Sequence, residues 1–101
     1  MDPAEPDIRV SDVVKSTAGR DQGELFYVLS VEGQYLRLAN GKDRTLDRPK
    51  RKKCKHVAMV LRSETRVAQK ILSGDKVLNS ELRRDLAFFS RDMQSNGLGG
   101  L

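Results

Sequence analysis

A chain of 101 residues sets one small domain as the expectation. Charged residues make up 33% of it, and 19 Lys and Arg against 14 Asp and Glu give a net charge of +5, a sign that favours anionic partners. A single cysteine, Cys54, excludes an internal disulfide framework, one Cys with one His cannot fill a usual zinc site, and the longest apolar runs, residues 25–29 and 57–61, fall far short of the roughly 20 residues that span a bilayer.

Residues 1–8 carry two of the three prolines and three acids and are expected to form a flexible arm. Residues 1–10 lack the basic start and apolar stretch of a signal peptide, so a reducing, cytoplasmic setting is the expectation, with no membrane association. From Val10 the pattern is that of β-structure. Val10, Val13 and Val14 precede a polar turn over residues 18–23, in which Gly19 and Gly23 can adopt positive φ. Residues 25–31 are apolar at nearly every position, which predicts a strand buried on both faces, as in a small closed barrel. Glu32-Gly33 supplies a tight turn. A strand over residues 35–39 puts Leu36 and Leu38 on one face, Tyr35 and Arg37 on the other. Asn40-Gly41 is a strong hairpin signal, and strict alternation over residues 43–48 predicts a strand carrying Arg44, Leu46 and Arg48 on one face. Pro49 ends that ladder, a basic run follows, and residues 57–61 form a last strand.

Five short strands with turns between them predict a mainly β fold, a barrel over residues 9–61. The period then changes. Ser63 is placed to cap a helix holding Val67, Ala68, Ile71 and Leu72, which Gly74 stops. Asn79 or Ser80 caps a second helix over residues 80–93, with Leu82, Leu86, Phe89 and Met93 on one stripe. Residues 62–94 are thus a helical extension and residues 95–101 a flexible tail.

The charge is concentrated. Residues 42–56 hold Lys42, Arg44, Arg48, Lys50, Arg51, Lys52, Lys53 and Lys55 against Asp43 and Asp47, a local surplus larger than that of the whole chain. Such a window suits a polyanion, contacted through phosphates rather than read base by base.

Thr17 to Gly23, Phe26-Tyr27-Val28 and Val31-Glu32-Gly33 resemble a KOW motif. Leu38 to Lys42, Arg44, Pro49 to Lys52 and Lys55-His56 extend the match, so that residues 10–60 look like the short bacterial KOW-domain RNA-binding proteins. Those are similar in turn to a KOW-containing large-subunit ribosomal protein of archaea and eukaryotes. The resemblance implies an SH3-like barrel of about five strands and contact with RNA, ribosomal RNA above all, or with ribosomal proteins. Residues 61–101 have no counterpart in that pattern.

The candidate RNA-binding residues are therefore Arg20, Tyr35, Arg37, Lys42, Arg44, Arg48, Lys50, Arg51, Lys52, Lys53, Lys55 and His56. Arg20 either reaches a phosphate or pairs with Asp21 or Asp12. Tyr35 beside Arg37 either stacks an unpaired base or covers the core. Cys54 and His56 would share a side on a strand, but a nucleophile and base without an orienting group or oxyanion site make no catalytic constellation. No enzyme activity, cofactor or metal is expected. The alternative function is a protein-interaction adaptor that docks a ribosomal or other protein on the barrel or on the C-terminal amphipathic helix.

Overall fold

The computed structural model describes residues 7–99, with side chains through Asp92. The elements in chain order are β1 (Asp12–Ser16), β2 (Leu25–Glu32), β3 (Tyr35–Ala39), β4 (Lys50–Lys53), a 3₁₀ turn (Cys54–His56), β5 (Val57–Arg62), α1 (Arg66–Ser73) and α2 (Asn79–Gly99). The five strands form one antiparallel sheet in the order β4-β3-β2-β1-β5. Its two edge strands are joined by the three-residue 3₁₀ turn alone. Edges of a flat five-stranded sheet stand about 19 Å apart, four spacings of about 4.8 Å. A single 3₁₀ turn advances only about 6 Å, so the sheet has to coil strongly on itself. It does not close: no pairing joins β4 to β5 among the described residues.

Both faces of this sheet carry buried core, the second only where the helices cover it. On the concave face Val14, Phe26, Val28, Leu36, Leu38 and Val57 form one core, closed at its end by Ile8. On the other face Val13, Tyr27 and Ala39 pack against Val67 and Ala68 of α1 and Leu82, Leu86 and Phe89 of α2. Phe26, Tyr27 and Val28 are each fully buried, on alternating faces, as the apolar run of β2 predicts. The cover on the second face is the pair of helices, not barrel closure. The predicted stripe Leu82, Leu86 and Phe89 is therefore core; Met93 lies beyond the described side chains.

Two turns follow local rules. Gly33 (φ +63°) and Gln34 join β2 to β3, and positive φ at the first of two loop residues suits the right-handed strand twist. Gly74 (φ +76°) ends α1, its amide donating to Ile71 and Lys70 carbonyls. The α1 cap is Thr65, whose hydroxyl accepts from the Ala68 amide at 3.2 Å, and not Ser63. Ser63 is buried and bonds the Tyr27 hydroxyl at 2.9 Å.

Three expected elements differ. Residues 43–48 are a loop and not a strand. The buried Asn40 side chain accepts from the amides of Lys42 (3.0 Å) and Arg44 (3.1 Å) and donates to Asp43 Oδ1 (2.8 Å), which satisfies the backbone locally and competes with a ladder. The fourth strand is instead the basic run Lys50–Lys53, just after Pro49. Finally, α2 runs on to Gly99 through most of the expected tail, of which 100–101 fall outside the described residues. The arm over residues 1–8 is described only at its end, where Ile8 is buried and the Asp7 carbonyl accepts from Arg62 at 2.9 Å.

Candidate nucleic-acid interface

The pairing of β3 with β4 sorts the basic run into two sets. Residues opposite one another share a face, so Leu36 and Leu38 lie with Lys52 and Lys50, and Tyr35 and Arg37 lie with Lys53 and Arg51. The first set turns to the concave side. There Lys52 is only 7% exposed and its ammonium donates to Asp21 Oδ1 (2.8 Å) and the Ala18 carbonyl (2.7 Å). Lys50 stands 2.7 Å from the other Asp21 oxygen, and the Ser16 hydroxyl donates to Oδ1 at 2.7 Å. Burial acts to raise the Asp21 pKa, but the two ammonium groups and the Ser16 hydroxyl outweigh it and hold the carboxyl well below the usual range. This clamp fastens the turn between β1 and β2 onto β4. Lys50 and Lys52, two of the candidate RNA contacts, are committed to it.

The second set is an outward surface. The Arg51 guanidinium lies 3.8 Å from the centroid of the Tyr35 ring, and the Lys53 ammonium 5.8 Å from it. Arg37, directly across from Arg51, pairs with Glu32 at 2.9 Å, but both side chains are about half exposed, and such a pair is weak and yields readily to a competing anion. Tyr35 is thus neither core nor a bare ring: a planar cation already covers it. The partner of Tyr35 is Arg51, across the strand pair, rather than its sequence neighbour Arg37.

Of the other candidates all but His56 are exposed. Arg20 projects from the β1–β2 turn; its suggested partners Asp21 and Asp12 are taken by Lys50 and Lys52 and by Arg62 (3.1 Å). Lys42, Arg44 and Arg48 lie on the exposed loop between β3 and β4, at the opposite end of β3 from Tyr35, and Lys55 is exposed on the 3₁₀ turn. His56 is half-buried there, its carbonyl accepting from the Thr17 amide at 2.9 Å. Cys54 and His56 sit in a 3₁₀ turn, not on a strand, so the same-side geometry expected for them does not arise. Among the described residues no group of three His, Cys, Asp or Glu side chains is placed to hold a metal ion, and no helix is long and apolar enough to cross a membrane.

Sequence reasoning did not place one neighbourhood. α2 meets the β3–β4 loop: Asn79 Oδ1 accepts from the Leu46 amide (2.9 Å), and Arg83 donates to the Gly41 carbonyl (2.6 Å). Its helical spacing was legible; its docking against a loop 33 to 42 residues earlier carried no local signal. No protein-family model matches the chain, and a search of curated proteins found no match.

Proposed function

We propose that this chain is a non-catalytic, KOW-type RNA-binding module of the cytoplasm that associates with ribosomal RNA. The observation that carries the reading is the outward face of β3 and β4, where Tyr35, Arg37, Arg51 and Lys53 combine a stacking surface with point charges. A phosphate backbone lies along the exposed cations, Arg20, Arg44, Arg48 and Lys55 among them, while an unpaired base stacks on the Arg51–Tyr35 pair. Strand order and the 3₁₀ link between the edge strands support an SH3-like arrangement, a barrel left open along one seam.

The test reverses Arg51 and Lys53 to Glu, leaving Lys50 and Lys52 in their clamp. Sedimentation of tagged protein from lysate, with and without ribonuclease, is read beside direct binding to a structured RNA. The expected result is ribonuclease-sensitive co-migration with ribosomal particles for the native chain, and loss of both signals in the variant without loss of melting temperature. Unchanged RNA binding by R51E/K53E overturns the assignment of this face.

A second reading, a protein-docking adaptor, is favoured by exposed apolar side chains: Leu72 on α1 (63%), Leu78 in the link between the helices (51%) and Phe88 on α2 (58%). Leu82, Leu86 and Phe89 of the α2 stripe are buried against the sheet, so that reading rests on these three exposed side chains. Partners that survive ribonuclease and vanish with F88E support it.

A further inference from the structure

Where the start of β2 and the Asn40–Gly41 loop face α2, the fold leaves a groove of about 720 Å³. Its floor is apolar, from Leu25, Leu86 and Ala87, and its rim carries Lys42 from the loop and Arg83 and Arg91 from α2. Three cations from two elements line it, opposed by one acid, Glu24. None of the three has an ion-pair partner among the described residues; the acids near α2 serve elsewhere, Asp85 bonding Tyr27 and Glu81 bonding Lys70.

We propose that this groove is a second binding site, separate from the β3–β4 face, for a phosphate-bearing ligand of nucleotide size. A volume of this order matches ordinary small-ligand sites, which combine an apolar floor with a few convergent polar groups. The chemistry of the lining divides the ligand into two parts. The flat body of a base or sugar lies on Leu25, Leu86 and Ala87, and its phosphate meets Lys42, Arg83 and Arg91. Charge complementarity selects an anion, and Arg83 is preorganised for it: its hydrogen bond to the Gly41 carbonyl uses one of five guanidinium donors and fixes the side chain against the loop. That phosphate belongs either to a free nucleotide or to one unit of a nucleic-acid strand.

The two sources are separated by probe. Adenosine monophosphate, inorganic phosphate and a labelled single-stranded RNA octamer are titrated against the native chain and against Lys42→Gln/Arg91→Gln, both exposed side chains, with amide NMR shifts as the readout. A second variant, Ala87→Trp, fills the floor and leaves every cation in place. Arg83 is kept, because it also holds the loop.

The expected result is that the monophosphate shifts amides of Leu25, Lys42 and Ala87, and that both variants weaken it at least tenfold while R51E/K53E does not. If the source is a strand, the octamer moves the same amides more tightly than the mononucleotide does. The slope of its log affinity against log salt then becomes shallower in K42Q/R91Q by up to about 0.7, the share of the one phosphate held there. Shifts with inorganic phosphate as strong as with the nucleotide, and insensitive to A87W, overturn the apolar half of the site. No shift at these amides with any probe overturns the site altogether. Because R51E/K53E is carried through every titration, loss of the β3–β4 reading and loss of this one are distinguishable.

Discussion

Asp21 is the residue on which the basic run depends. Removing one member of a buried ion pair leaves the other charge uncompensated, at about 3–5 kcal/mol. Asp21→Asn is therefore expected to lower the denaturation midpoint strongly, while adding Lys52→Met recovers much of the loss; urea melts of the two variants decide this, and equal melts would falsify the clamp. The pH dependence has a definite sign. The carboxyl is held below its ordinary value, so its contribution is complete above about pH 5 and is lost as pH falls below about 3.9. The native chain should lose stability through that acid range, with D21N showing a flatter acid limb. Gly41 is the second decisive residue. At φ +79° a Cβ would also collide with the Asn79 carbonyl. Gly41→Ala is expected to cost about 1–3 kcal/mol, seen as a melting temperature lower by about 5–15 °C.

At the scale of elements, one buried polar network joins sheet to helices. The Tyr27 hydroxyl donates to Asp85 Oδ2 on α2 at 2.7 Å and contacts Ser63 (2.9 Å) and Thr65 (3.3 Å), while Thr65 donates to the same carboxylate at 2.7 Å. Burial, reinforced by Asp85 and only partly opposed by the Ser63 and Thr65 hydroxyls, pushes the Tyr27 pKa up to about 12. A raised folded value means stability that is intact below about pH 10 and lost as pH rises towards 12. Tyr27→Phe should cost about 1–3 kcal/mol at neutral pH and remove that alkaline loss; melts at pH 8 and 11 test both. The elements differ in how plainly their residues announce them. Gly33, Gly74, the apolar run of β2 and the Leu82, Leu86, Phe89 stripe were legible, because each rests on local geometry or periodicity. β4 was not, because its inward side chains are Lys50 and Lys52. Their stems are buried along the sheet while a distant carboxylate takes up the charge, so polarity gives no sign of burial. Alternation over residues 43–48 misled for the converse reason: Asn40 gathers those amides before any strand can. The face of Tyr35 and Arg37 was read correctly from alternation, but Arg51 over the ring required the register.

For the molecule as a whole, the helices are half of the hydrophobic core rather than an appendage. Val13, Tyr27 and Ala39 are fully buried only because α1 and α2 lie on them. A chain ending at residue 62 should therefore be aggregated or molten, without a cooperative melt, so that point variants and not truncation are the proper way to test what the helices bind; a sharp melt for residues 1–62 would contradict this. The two edges of the sheet are also unequal. β4 carries lysine along its length, which discourages pairing with another chain, whereas residues 57–61 of β5 are uncharged and Ala58 and Met59 are exposed. Met59→Lys is expected to reduce concentration-dependent association at elevated temperature, as measured by light scattering, with little change in RNA affinity.

The position of β1 between β2 and β5 governs when the protein can become whole. Asp12 faces Arg62, its buried carboxylate held by that guanidinium at 3.1 Å, across fifty residues of chain. β1 and β2 are close neighbours in sequence and can meet early, whereas the other side of β1 stays open until the chain has grown to residue 62. Contact order of this kind slows folding, and on a ribosome it leaves the first strand half paired from the completion of β2 until β5 has been made. The Asp12–Arg62 pair is then a closing step. Arg62→Ala should speed unfolding more than it slows folding, and a chevron analysis would show whether the seam between the first and last strands is sewn last.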